Sequence, residues 1–166
     1  MPDPLPPHEA QRLRLMASRA ALTVATVLIL TKLAGYFITG SVSLLSSLID
    51  SATDLLASLV VFIGVREAEK PADSQHRFGH GKAEPLAALG EAAFVAAPML
   101  FLVVEAFRRL HAPQAVQAPE VGIGVMAVSL SLTLLLVLFQ GYVVRRTASV
   151  AISADHWHYL SDLLTN

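Results

Sequence analysis

A bundle of membrane-spanning α-helices is the fold class this sequence predicts, and three observations carry it. Of the 166 residues 54% are hydrophobic and only 15% charged, with a positive mean hydropathy. That is too apolar for an ordinary soluble domain of this size. Apolar stretches recur along nearly the whole length, as a helix needs to cross a hydrocarbon layer of about 30 Å. Between them lie short polar segments holding most of the Lys, Arg and Pro. In lipid, helices satisfy every backbone donor and acceptor within one segment, so the expectation is all-α and polytopic. The absence of cysteine removes disulfides and thiolate metal ligands together. A formal charge of −1 argues against a nucleic-acid partner.

Five transmembrane helices are expected, over about 16–39, 43–65, 83–107, 121–144 and 148–166, following a disordered tail over 1–15. The tail is set by Pro2, Pro4, Pro6 and Pro7. Its basic flank, Arg12, Arg14 and Arg19, resembles that of a signal peptide, but the apolar run is too long and further spans succeed it. Lys32, near the far end of the first helix, can snorkel its stem to the interface. Gly40 and Ser41 make a very short turn, so the first two helices are antiparallel neighbours. The second helix ends at Arg66, and a polar stretch runs from Glu67 to Lys82. The third contains Glu91 and Pro98, and a kink is expected at the proline. Arg108 to Glu120, with Pro113 and Pro119, reads as a loop. The fourth closes on Arg145 and Arg146. With the N-terminus inside, the inner segments hold nine Lys and Arg against Arg108 and Arg109 outside. That asymmetry places the N-terminus and the Glu67–Lys82 loop in the cytoplasm.

Two carboxylates stand inside the second span. Asp50 and Asp54 are four residues apart, hence on one helical face. Each costs about 2.5–3.5 kcal/mol at mid-membrane, and side by side they require a cation or a proton. His158 and Asp162 repeat the spacing in the fifth span. Depth links the pairs: Asp54 and Asp50 lie 12 and 16 residues from Arg66, as His158 and Asp162 do from Arg146. At ~1.5 Å per residue both pairs sit roughly 18 and 24 Å from the inner anchors. Three carboxylates and one imidazole suit tetrahedral Zn²⁺, with Fe²⁺, Co²⁺, Cd²⁺ or Mn²⁺ as further candidates. Asp155, one turn nearer the cytoplasm, either orients His158 from the second shell, attracts cations at the entrance, or is merely solvated. His156 is given no role. In the polar loop, Asp73, His76 and His80 offer three ligands at D-x2-H-x3-H spacing, with Gly79 and Gly81 supplying backbone freedom.

The stretches TGSVSLLSSLIDSATDLLASL (Thr39–Leu59), PADSQHRFGHGKAEPLAAL (Pro71–Leu89) and ADHWHYLSD (Ala154–Asp162) resemble the cation diffusion facilitators, and most closely their bacterial ferrous-iron and zinc efflux proteins. The resemblance implies a homodimeric metal/proton antiporter of the inner membrane with six helices per subunit. It implies a transport site at Asp50, Asp54, His158 and Asp162 and a loop site at Asp73, His76 and His80. Asp rather than His at the first transport position resembles the branch that handles zinc, iron and cadmium. The family pattern continues into a sixth helix and a cytosolic C-terminal domain of ferredoxin-like fold. The chain given stops at Asn166, before both, so a fragment or a truncated product is expected. Efflux of a divalent metal, with lipid, metal ions, protons and a second copy as partners, is the leading expectation. The competing one is a non-transporting, metal-binding membrane module that pairs with other subunits. An intramembrane hydrolase is disfavoured, because four side chains fill a tetrahedral shell and leave no place for a reactive water.

Overall fold

The computed structural model describes residues 5–111 and 119–165, and every regular element among them is a helix. Five helices follow in order: α1 (Pro7–Thr39), α2 (Val42–Ala68), α3 (Ala83–His111), α4 (Pro119–Thr147) and α5 (Val150–Thr165). By length and composition α1, α2 and α4 each suffice to cross a membrane.

The expected tail is a correction. Residues 7–15 are helical and extend α1 by more than two turns. Proline is tolerated at the first helical position, and Glu9 in the first turn suits the positive end of the helix dipole. Arg14 is also held, donating from Nε to Glu69 Oε1 at 2.8 Å. The Arg108–Glu120 loop is likewise shorter than expected. Helix α3 continues to His111 and α4 begins at Pro119, while residues 112–118, Pro113 included, lie outside the described residues. Pro98 does not interrupt α3.

The faces of α2 show why this sequence packs as it does. Ser51, Ser58, Val61 and Val65 are buried, at spacings of three, four and seven, with half-buried Asp54 on the same stripe. Ile49, Leu56 and Ile63, seven apart, point outward and stay exposed. An apolar outer face with a polar inner stripe fits a lipid surround, where apolar surface gains nothing by hiding and polar groups must find partners. On α1 the small residues Ala17, Ala21 and Ala25 are fully buried, which lets neighbouring backbones approach. Ala17 joins Val61, Val65, Val143, Ala151 and Ile152 in one cluster, and Ala21 joins Leu136, Val137 and Tyr159 in a second.

Two contacts fix which helix ends lie together. Arg14 of α1 pairs with Glu69 just beyond α2. Ser149 Oγ, which also accepts the Ile152 N–H at 3.2 Å to cap α5, donates to Glu84 Oε1 of α3 at 2.5 Å. The starts of α1, α3 and α5 and the end of α2 therefore share one end of the bundle. That end carries the Glu67–Lys82 loop and the basic residues.

Candidate metal centres

Helices α2 and α5 run antiparallel through the middle of the bundle. Ser58 Oγ and Tyr159 Oη share a hydrogen bond of 2.8 Å, and one turn away Asp54 meets His158. His158 Nε2 lies 3.4 Å from Asp54 Oδ1 and 3.8 Å from Asp162 Oδ2. One ligand atom from each of Asp54, His158 and Asp162 falls within 4.8 Å of the others, a span one divalent ion can bridge. The His158 side chain is 8% exposed, and neither ring nitrogen has a hydrogen-bond partner among the described residues. A buried imidazole whose Nε2 faces two carboxylates is poised to ligate.

Of the four residues expected here, three come together. Asp50 lies one turn, about 6 Å, further along α2 and outside the cluster. It is half-buried and electrostatically coupled to Asp54 and Lys32. Lys32 itself corrects an expectation. It does not snorkel; it is buried, and Nζ donates to Ser51 Oγ at 2.7 Å and to the Ser47 carbonyl at 3.3 Å. Asp54, Asp50 and Asp162 all lie within electrostatic reach of its ammonium.

Asp155 is a further correction. It is fully buried rather than solvated, and His158 Nδ1 has no acceptor, so Asp155 does not orient the imidazole through a hydrogen bond. Its Oδ2 accepts from Gln140 Nε2 of α4 at 2.5 Å. Glu91 and Gln140 are fully buried too. Sequence reasoning gave these residues no role. The available signal was a Glu and a Gln inside apolar helices, each needing a buried partner.

In the loop, Asp73, His76 and His80 form a second group with ligand atoms within 4.8 Å of one another. His76 Nδ1 and His80 Nε2 lie 3.3 and 3.5 Å from the two Asp73 oxygens. The backbone explains the convergence. Asp73 Oδ1 accepts the N–H groups of Gln75 at 2.9 Å and His76 at 2.6 Å, closing a turn. Those donors, His76 first, hold the Asp73 carboxyl below the usual carboxylate range. Gly79 at φ +79 then reverses the chain and brings His80 back over Asp73. Gly81, expected to share that task, has no positive φ.

One family and three relatives of a single name can be set beside this geometry. The cation efflux transmembrane domain family matches residues 18–166. The cation-efflux pump FieF of Pectobacterium carotovorum subsp. carotovorum strain PC1 is 50% identical over 160 residues, covering 96% of this chain and 53% of that protein. The pumps of the same name from Yersinia pestis strain Pestoides F and Yersinia pseudotuberculosis serotype O:3 strain YPIII are each 49% identical over 150 residues, 90% of this chain and 50% of theirs. The chain thus spans about half the length of the curated relatives it matches.

Proposed function

The chain belongs to the cation efflux family, the cation diffusion facilitators, and from that premise we propose that it carries the metal pathway of a divalent-cation efflux transporter of the bacterial inner membrane. The observation that carries this reading is the convergence of Asp54, His158 and Asp162 from two antiparallel helices onto one buried point. Zn²⁺ and Fe²⁺ are the favoured substrates, since imidazole with carboxylates suits borderline divalent ions better than Mg²⁺ or Ca²⁺. Asp50 serves as an outlying fourth ligand, reached by a small movement of α2 or through water. The cytoplasmic end is the one bearing the loop, as the bias of Lys and Arg favours. The loop trio binds a second divalent ion on that side, with Asp73 already ionised near neutral pH. A second copy of the chain completes a homodimer.

Proton antiport follows from the ligand chemistry. Carboxylates and imidazole bind metal only when deprotonated, so metal and protons compete for the same atoms. If access alternates between the two sides, that competition couples efflux to proton entry. Titrating purified protein with Zn²⁺ by calorimetry, in buffers of different ionisation enthalpy, counts the protons released. At least one is expected, with affinity falling as the pH is lowered from about 7.5 to 6, through the range where free His titrates. A count of zero and flat affinity would overturn antiport even with the ligands correct.

A further inference from the structure

Asp73, His76 and His80 fill three of the four places that a tetrahedral ion offers. In such a shell, with ligand atoms about 2.0–2.2 Å from the ion, neighbouring ligand atoms stand about 3.3–3.6 Å apart. The Asp73 carboxylate already meets both imidazoles at that spacing, 3.3 Å to His76 Nδ1 and 3.5 Å to His80 Nε2. A fourth group stands close by. Glu67, in the last turn of α2, places Oε1 4.0 Å from His80 Nε2, the same nitrogen that faces Asp73. The His80 side chain is only 9% exposed, and its ring lies against that of His76 with centroids 4.3 Å apart. Its Nδ1 has no hydrogen-bond partner among the described residues. Nε2 is therefore the atom that this buried imidazole presents, and it does so between two carboxylates from different segments.

Glu67 already has a partner. Lys70 Nζ lies 2.7 Å from Oε2 and donates to Oε1 at 2.9 Å. Both side chains are exposed, and an exposed pair of this kind is weakly held. Oε1 can therefore turn to an ion while Oε2 keeps the ammonium, and an approach of about 0.5 Å towards His80 closes the shell. Charge favours the exchange. The trio with a divalent ion carries a formal +1, and the Glu67 carboxylate brings it to zero. An ion held by the trio alone closes the loop on itself, whereas a bond to Glu67 fastens it to α2, the helix that also carries Asp54.

We propose that Glu67 is the fourth ligand of the loop ion, binding a divalent cation through Oε1 and fastening the loop to the end of α2. The proposal rests on the reading of Asp73, His76 and His80 as a metal site.

The experiment is a calorimetric titration with Zn²⁺ of the purified chain in lipid nanodiscs, comparing wild type with Asp73→Ala, Glu67→Gln and Glu67→Asp. Asp73→Ala identifies the loop equivalent by its loss. In Glu67→Gln the loop affinity should fall about tenfold or more, since losing a residue that only orients a metal ligand already costs about 10–100-fold. Glu67→Asp keeps the charge but shortens the reach by one methylene, so it should lose nearly as much. The bundle equivalent should be unchanged in both Glu67 variants. Zn²⁺ should slow amide exchange over residues 67–80 in wild type, and in Glu67→Gln the slowing should persist over 73–80 but vanish over 67–70. Wild-type loop affinity in Glu67→Gln overturns the proposal and leaves the trio standing. Wild-type affinity in Glu67→Asp beside a loss in Glu67→Gln overturns it too, because charge rather than coordination is then the cause. Slowing over 67–70 that survives in Glu67→Gln overturns the fastening to α2. Should Asp73→Ala keep every Zn²⁺ equivalent of wild type, the loop site itself fails and the proposal fails with it.

Discussion

Replacing Gly64 by alanine tests the packing that holds the loop site in shape. Gly64 lies near the end of α2, where α3 crosses so closely that an added Cβ would meet Ala87 Cβ at 2.2 Å and the Ala83 carbonyl at 3.1 Å. Ordinary contact begins near 3.4 Å, so the helices must part by about 1.2 Å. Neither neighbour can rotate away, since one is a Cβ and the other a backbone oxygen. Overpacking of this kind costs about 1–3 kcal/mol, and the upper end is expected where backbone itself must shift. The displacement falls on the first turn of α3, whose Ala83 N–H bonds the His80 carbonyl at 2.9 Å. His80 should then withdraw from Asp73, and Zn²⁺ binding at the loop should weaken. Asp54 is ten residues away, about 15 Å along α2, and its cluster should bind as before. Thermal unfolding in nanodiscs and a two-site Zn²⁺ titration measure both effects. Gly122→Ala is the control, for nothing lies within 4 Å of its added Cβ. It should be neutral or slightly stabilising, by up to ~1 kcal/mol from helix propensity. Equal unfolding temperatures and equal loop affinities in wild type and Gly64→Ala would refute the packing argument.

Three further expectations follow from the two centres. Asp54→Ala should abolish tight Zn²⁺ binding in the bundle while Asp50→Ala only weakens it, because Asp50 stands outside the cluster; equal losses by calorimetry would show that α2 moves to bring both carboxylates in. Lys32→Met removes a fixed cation that all three carboxylates feel, so Zn²⁺ should bind tighter, on the order of tenfold, and weaker binding would mean that the ammonium positions Ser51 and α2 rather than repelling the ion. In the loop, the N–H groups of His76 and Gln75 favour ionised Asp73, so its folded pKa lies below the ordinary value of about 3.9. The turn's stabilisation is then fully present above that ordinary value and is lost as the pH falls through the lower folded one. Amide exchange over residues 73–83 should stay slow at pH 5 and quicken only in stronger acid, and Asp73→Asn should erase that dependence.

Composition alone made the helical membrane bundle and its polar loop legible, and spacing alone picked out the candidate ligand pairs. Lipid imposes a length and an apolar composition that composition alone reveals, and i,i+4 spacing puts ligand pairs on one face before any packing is known. Matching depth from Arg66 and Arg146 paired Asp54 with His158 and Asp162 because helical rise is nearly constant. The same constancy could not say how α2 and α5 cross, and the crossing leaves Asp50 outside the cluster. Packing also decided the fate of Lys32. A lysine near a helix end has two polar destinations, the interface and the interior, and only the placement of Ser47, Ser51 and three carboxylates selects the second. Residues 7–15 could not be read as helix because their partner Glu69 lies 55 positions away from Arg14. The Gln140–Asp155 hydrogen bond was invisible for the same reason. The sequence shows these helices only one at a time, and tertiary structure alone brings Gln140 of α4 to Asp155 of α5.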